Sequence, residues 1–209
     1  MFKNRIDAGR VLAEKLFQMK LVQPCLLAVP RGGVVVAKPI AEKLNAKIGV
    51  LVTRKVGHPL NPEVAIGAVM PDGAVVWDRE QVRGIGITQE LFQQLAEREY
   101  AEIKRRIAEY TGSGQLPDVK GKTVIIIDDG IATGYTIRAA VNWLKTLDAA
   151  SIIIAVPVAP PEIVQELLLE VDEVICPVQP KNFAAVGMFY EDFSQTTDEE
   201  VMNILQQNR

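Results

Sequence analysis

The sequence is poor in the residues that build most metal centres and disulfide frameworks. It has one histidine and two cysteines in 209 residues, too few for a common zinc or iron–sulfur ligand set. Cys25 and Cys176 each lie beside an apolar run that is typical of a strand. We therefore expect two free, buried thiols in a reducing compartment, without a disulfide or a structural metal.

Long hydrophobic runs and an excess of positive charge are also absent. No apolar run approaches the roughly 18 residues that a membrane span requires, and the longest candidate, 152–161, is interrupted by prolines. The first residues are charged where a signal peptide has its apolar core. Because the formal net charge is −3, we expect a cytoplasmic protein that binds neither nucleic acid nor membrane.

What the chain does contain is an alternation of short β-branched runs and helix-like segments. This pattern is typical of a doubly wound, mostly parallel α/β sheet. The amphipathic helix predicted at 4–19 shows no chemistry beyond packing. We expect one domain over 1–209, with a core of about 21–57 and 119–178, a lid and helical excursion of about 56–118 and a hood-like C-terminal arm of 177–209.

Segment 124–136, VIIIDDGIATGYT, combines a strand, two acids and a small-residue loop. Its first four residues are apolar without polar alternation, as in a strand covered on both faces. Asp128 and Asp129 then lie at the carboxyl end of this strand, where open α/β sheets bind ligands. The loop leads into a helix at about Thr136, whose first N–H groups favour a phosphate. A sugar phosphate would satisfy both halves, because its hydroxyls suit the carboxylates and its phosphate suits the loop.

Other interpretations of this segment fit less well. A P-loop has Lys and then Ser or Thr after its second glycine, but Gly134 is followed by Tyr135. A dinucleotide fingerprint is matched only in part by Gly84 and Gly86, because Gln89 stands where the third glycine belongs. A strand that ends in a solvated Asp turn is the plain alternative, although two acids followed by Thr-Gly-x-Thr exceed what a turn requires.

Segment 124–136 closely resembles the ribose-5-phosphate-binding signature of type I phosphoribosyltransferases: four apolar residues, two acids, three variable residues and Thr-Gly-x-Thr. The resemblance implies phosphoribosyl pyrophosphate as substrate, and Mg²⁺ held through substrate and water near Asp128 and Asp129. It implies that these catalytic acids hold the ribose hydroxyls and face the positive charge that develops on the sugar. The 5′-phosphate would bind Ala132, Thr133, Gly134, Tyr135 and Thr136.

A second loop between a predicted strand and a predicted helix contains Arg31, Gly32 and Gly33. Glycines allow close backbone approach and Arg31 adds a permanent planar charge, so an anion fits here, although such a turn needs glycine for itself. The resemblance implies a pyrophosphate-binding loop at these residues, similar to that of xanthine-guanine-type members, with a cis peptide near Arg31.

The segment after the next predicted strand, 56–73, is rich in Pro and Gly. The resemblance implies that it is a mobile loop, a lid that closes over the reacting centre and excludes water. Lys55 either meets the pyrophosphate or belongs to a solvated turn. We assign Glu63 to the catalytic set as a proton-transfer group; for Glu63 and His58 the alternative is simple exposure.

Two further segments have open interpretations. Segment 78–115, with a charged helix at 88–110, has no counterpart in the resemblance, and it either covers the site or forms a homodimer contact. Phe183 lies in an aromatic stretch after the last predicted strand. The resemblance implies that it stacks on a base, and the alternative is a hydrophobic anchor for the arm.

Two departures from 6-oxopurine enzymes bear on the acceptor. Those enzymes carry an acid before Thr-Gly, where this chain has Ala132, and a lysine where it has Val156. A site without these groups should not favour hypoxanthine, guanine or xanthine.

The sequence thus predicts a phosphoribosyltransferase with an undetermined nitrogen acceptor. A regulatory module that binds phosphoribosyl pyrophosphate or a nucleotide is the alternative; sugar-phosphate hydrolysis is weaker, because no activated nucleophile accompanies the acids.

Overall fold

The computed structural model describes residues 1–114 and 117–208, with the side chains of all of these except 62, 63, 79 and 81. It divides into two compact units, a core unit of Met1–Leu51 with Pro117–Arg209 and an inserted unit of Val52–Leu116. The strands are β1 (Cys25–Ala28), β2 (Ile48–Val50), β3 (Arg54–His58), β4 (Asn61–Val69), β5 (Val75–Val76), β6 (Thr123–Ile127), β7 (Ser151–Ala155) and β8 (Glu173–Ile175). The α-helices are α1 (Arg5–Phe17), α2 (Gly32–Leu44), α3 (Arg79–Gly84), α4 (Gln89–Thr111), α5 (Tyr135–Lys145), α6 (Pro161–Leu168) and α7 (Asp198–Gln207), and a 3-10 helix covers Val186–Phe189.

The core unit is built on a parallel sheet with the strand order β2-β1-β6-β7-β8. This confirms the predicted α/β class. The central strand β6 is buried along its whole length, as expected when both faces of a parallel sheet are covered by helices. Ala28 at the end of β1 pairs with Ile127 at the end of β6. The loops that follow these two strands therefore begin side by side at the same edge of the sheet.

Helices α1 and α2 approach each other closely at Gly9. A β-carbon at this position would overlap the carbonyl oxygen of Val36 and lie 2.6 Å from Cγ of Pro39. Ala8 and Leu12, on the same side of α1, are completely buried. This close approach fixes the position of α1 on the core unit.

The inserted unit corrects the secondary structure expected for one segment and confirms that of another. Segment 56–73, predicted as a mobile loop that acts as a lid, forms most of an antiparallel hairpin of β3 and β4 instead, and its role as a lid stays a prediction. Val56, Ile66 and Val69 of the hairpin are buried, while its turn includes the exposed Leu60. The long helix predicted at 88–110 is confirmed as α4, and the Thr88 side chain caps it. No helix in the described part of the chain is both long and apolar enough to cross a bilayer.

Replacing Gly9 with Ala should destabilise the core unit, although Ala is the better helix former by about 1 kcal/mol. The added methyl group forces α1 and α2 apart, and overpacking of this kind costs roughly 1–3 kcal/mol. Chemical unfolding of the purified variant measures the change. The control is Arg10→Ala at the exposed next position of α1, which we expect to stay within about 0.5 kcal/mol of the parent. Equal stability of the two variants would contradict the close packing.

Candidate functional site

Two consecutive carboxylates end the central strand of the core unit. The backbone N–H of Asp129 donates to Oδ1 of Asp128 over 2.8 Å. Burial, followed by the neighbouring Asp129 carboxylate, raises the pKa of Asp128 well above its usual value. The pair is thus an electrostatically costly arrangement that the surrounding residues must stabilise.

Arg5, in the first turn of α1, provides the direct countercharge. Its Nε donates to Oδ2 of Asp129 over 2.7 Å, and the two side chains are only 11% and 18% exposed. Its Nη1 donates to the Ser194 carbonyl oxygen over 2.8 Å, and its Cζ lies 3.9 Å from the centre of the Phe193 ring. The Arg5 charge also acts to lower the pKa of Asp128. The sequence prediction missed this residue, although a cation at a helix N-terminus opposes the helix dipole and is itself a signal.

Tyr190 in the C-terminal arm contacts the backbone of the acid pair. Its hydroxyl donates to the carbonyl oxygen of Asp129 over 2.6 Å. Burial and then the Asp129 carboxylate raise the pKa of this phenol above its ordinary value, so it remains a donor at neutral pH. Tyr190 was also missed as a site residue, because an aromatic residue in an irregular stretch shows only that it packs on something.

Phe183 lies in an aromatic cluster that anchors the arm. The cluster packs around Phe2, Val158 and Tyr190. The half-buried Phe183 ring stacks on Phe189 with 5.6 Å between centroids. These contacts correspond to the anchor interpretation of Phe183, and its stacking on a base stays a prediction.

The predicted Arg-Gly-Gly loop is the start of α2, with Arg31 before the helix and Gly32 and Gly33 in its first turn, and it packs directly on the acids. A β-carbon at Gly32 would overlap Oδ2 of Asp129 and lie 2.8 Å from Nε of Arg5, and one at Gly33 would lie 2.6 Å from the Ile127 carbonyl oxygen. The peptide between Pro30 and Arg31 is cis, as the resemblance implies. The glycines therefore allow the predicted pyrophosphate loop and the predicted ribose-binding acids to occupy adjoining space.

The predicted 5′-phosphate loop connects the end of β6 to α5. Ile131 anchors it, because its side chain is 3% exposed and its N–H donates to the Val158 carbonyl oxygen over 2.9 Å. Gly134 has a φ of +76° and precedes the first residue of α5, a conformation that favours glycine. The side chains around it are exposed at Ala132, Thr133, Tyr135 and Thr136.

Lys55 and Glu63 both belong to the inserted unit. Lys55 is an exposed residue of β3, and it lines a cavity of about 530 Å³ with Thr53, His58 and Arg98. The side chain of Glu63 lies outside the described residues. Their predicted roles, in pyrophosphate binding and in proton transfer, stay predictions.

Comparison with known proteins identifies one family over most of the chain. The family model described as the phosphoribosyl transferase domain matches residues 2–193. The crystal structure of TT1426 from Thermus thermophilus is 38% identical with a TM-score of 0.85, over 99% of this chain and 98% of that one. The AQ2163 protein of Aquifex aeolicus shares the fold at 16% identity and a TM-score of 0.51, over 88% of this chain and 78% of that one.

One relative, from Mycobacterium tuberculosis, is about twice as long as this chain. A Mycobacterium tuberculosis protein named "Putative phosphoribosyl transferase" is 39% identical over 206 residues, 98% of this chain but 46% of its own length. The chain thus spans about half the length of that relative. A protein of Actinobacillus succinogenes named "Bifunctional protein PyrR" is 45% identical over 53 residues, 25% of this chain and 30% of its own length.

Replacing Asp128 with Asn removes one carboxylate and keeps an oxygen that can accept the Asp129 N–H. Because the pKa of Asp128 is raised on folding, the folded state binds this proton more tightly than the unfolded chain. Stability is therefore lost as pH rises above the unfolded Asp value of about 3.9. We expect Asp128→Asn to stabilise the core unit at pH 7–8 and to lose that advantage near pH 4, measured by chemical unfolding at both values.

The matched control is Asp118→Asn, near the opposite end of β6. A hydrogen bond from Lys122 lowers the pKa of the exposed Asp118, so its contribution to stability is present above the unfolded value and is lost as pH falls. The two variants should thus change stability in opposite directions at pH 7. A destabilised Asp128→Asn at neutral pH would contradict the raised pKa.

Proposed function

Because the chain belongs to the phosphoribosyl transferase domain family, we propose that it transfers a 5-phosphoribosyl group from phosphoribosyl pyrophosphate to a nucleobase-like nitrogen acceptor and releases pyrophosphate. The observation that carries the proposal is the packing of Gly32 against the Asp129 carboxylate. A pyrophosphate loop and a ribose-binding acid must adjoin in such an enzyme, since the bond that breaks joins the ribose to the pyrophosphate.

In the proposed reaction, Asp128 and Asp129 hold the ribose hydroxyls and stabilise the cationic sugar of the transition state. A fixed carboxylate is effective here because it needs no reorientation when the charge develops. Asp129 meets this requirement, since Arg5 holds its side chain and Tyr190 holds its backbone. The chemistry asked of the protein is therefore positioning and charge stabilisation rather than covalent attack.

The two phosphate-bearing ends of the substrate are assigned to two loops. Residues 132–136 would take the 5′-phosphate through the N–H groups that open α5. Arg31, Gly32 and Gly33 would take the pyrophosphate, with Lys55 assigned to the same leaving group. The exposure of the first loop and the close packing of the second on the acids support this division.

Mg²⁺ would be held mainly through substrate oxygens and water, near Asp128 and Asp129, because it commonly keeps several waters and binds substrate phosphates. In the described part of the chain, no group of three or more His, Cys, Asp and Glu side chains is arranged to hold a metal ion. The bound ion would supply charge neutralisation to the pyrophosphate.

We propose that the acceptor site lacks the polar groups with which 6-oxopurine enzymes recognise their base. Val156, at the position where those enzymes carry a lysine, is completely buried in this fold. Ala132, at the position of their acid, presents no polar side chain. Phe183 would contribute stacking, which tolerates many planar acceptors, once its ring leaves that of Phe189.

Calorimetric titration of phosphoribosyl pyrophosphate with Mg²⁺ tests the donor site, with ribose 5-phosphate and pyrophosphate as separate ligands. We expect saturable binding, and we expect Asp129→Asn to weaken both ribose-containing ligands tenfold or more, about 1.4 kcal/mol, while pyrophosphate binds as before. The reason is that only the ribose hydroxyls need this carboxylate.

The control is again Asp118→Asn, an equal chemical change at an exposed site, which should bind all three ligands like the parent. Unchanged affinity in a folded Asp129→Asn variant would remove the assignment of the acid. A screen of nucleobases for pyrophosphate release then separates the two functions: release with one acceptor supports the transferase, whereas binding without release from any acceptor supports the regulatory module.

A further inference from the structure

Arg5 has contacts that a packing helix does not require. The side chain is 11% exposed, and its guanidinium group contacts three partners from distant parts of the chain. These are the carboxylate of Asp129, the carbonyl oxygen of Ser194 and the ring of Phe193. A guanidinium group suits this task because it is planar, permanently charged and carries donors in a fixed fork.

We propose that Arg5 is a positioning residue that orients the Asp129 carboxylate for the ribose hydroxyls and couples this orientation to the docking of the C-terminal arm. The proposal rests on the proposed function, because it assigns a role to Asp129 in substrate binding. It adds a residue from α1, an element without a role in the chemistry predicted from the sequence.

The geometry around Oδ2 of Asp129 leaves little freedom for the carboxylate. Nε of Arg5 lies 2.7 Å from that oxygen on one side. Gly32 approaches the same oxygen so closely that a β-carbon would overlap it. An aspartate without the Arg5 contact would be free to rotate away from its neighbour Asp128, because two adjacent carboxylates repel each other.

The arm holds Arg5 in turn. Ser194 accepts from Nη1, and the Phe193 ring lies beneath the guanidinium plane. The arm is also paired with the segment before α1: Phe2 N–H donates to the Phe189 carbonyl oxygen and Glu191 N–H to the Phe2 carbonyl oxygen, each over 2.8 Å. Movement of the arm therefore changes the support of Arg5, and through Arg5 the orientation of Asp129.

The test compares Arg5→Gln with Arg10→Gln, an equal change at an exposed site on the same helix. Each variant is titrated with phosphoribosyl pyrophosphate and Mg²⁺, with ribose 5-phosphate and with pyrophosphate. We expect Arg5→Gln to weaken the two ribose-containing ligands about tenfold and to leave pyrophosphate within twofold of the parent. Arg10→Gln should match the parent for all three ligands.

Arg5→Lys separates orientation from charge. The lysine ammonium keeps the charge but cannot donate to Asp129 and Ser194 from a planar fork above Phe193. We expect Arg5→Lys to remain at least threefold weaker than the parent for the ribose-containing ligands. Full recovery by Arg5→Lys, or an equal loss of pyrophosphate binding in Arg5→Gln, would overturn the positioning role.

Phe193→Leu keeps the proposal testable if Arg5→Gln does not fold. It leaves Arg5, Tyr190 and both acids in place and removes the ring that lies against the guanidinium group and, with 5.0 Å between centroids, against Tyr190. We therefore expect a smaller loss with the same selectivity for ribose-containing ligands. Parent-like binding by folded Phe193→Leu, when Arg5→Gln is unfolded, would overturn the coupling. If the unmodified protein binds none of the three ligands, the proposed function and this inference fail together; if it binds them and Arg5→Gln binds equally well, only the inference fails.

Discussion

Two carboxylates on consecutive residues at the end of a buried strand repel each other, and the core unit is arranged to tolerate them. Burial and the charge of Asp129 both raise the pKa of Asp128. The Arg5 guanidinium on Oδ2 of Asp129 and the Asp129 N–H on Asp128 oppose this cost, and the Tyr190 hydroxyl holds the Asp129 carbonyl oxygen. Each contact comes from a different part of the chain. The acid pair is thus the point at which α1, the sheet and the C-terminal arm are brought together.

The position of Arg5 depends in turn on the close packing of two helices, α1 and α2. α1 can lie where it does only because Gly9 lets it approach the backbone of α2 at Val36. Gly32 has a similar effect, because the absence of a side chain leaves room for the Asp129 carboxylate. Two glycines therefore determine the electrostatics of the site, since a side chain at either position would separate the charges that stabilise it.

The local parts of this arrangement could be predicted from the sequence, and the long-range parts could not. The apolar run of β6, the two acids and the glycine that opens α5 are neighbours in the chain, so their spacing alone indicates a strand, a polar edge and a helix start. Arg5 and Asp129 are separated by 124 residues, and no periodicity links them. The β3–β4 hairpin was mistaken for a loop for a related reason: its Pro and Gly residues dominate the local pattern, whereas the burial of Val56 and Ile66 depends on strand pairing.

Under the proposed function, the Arg5–Asp129 ion pair carries a cost as well as a benefit. A carboxylate that is already paired presents less negative potential to a cationic sugar than an unpaired one would. The pairing nevertheless fixes the direction in which the carboxylate points, and a group that is already oriented stabilises a developing charge without reorganisation. Asp128 is in the complementary situation, because burial and its neighbour disfavour its charge and an approaching cation would favour it. The two acids therefore differ in what they offer a cationic transition state: Asp129 offers geometry that is set in advance, and Asp128 offers a charge whose stabilisation depends on the substrate being present.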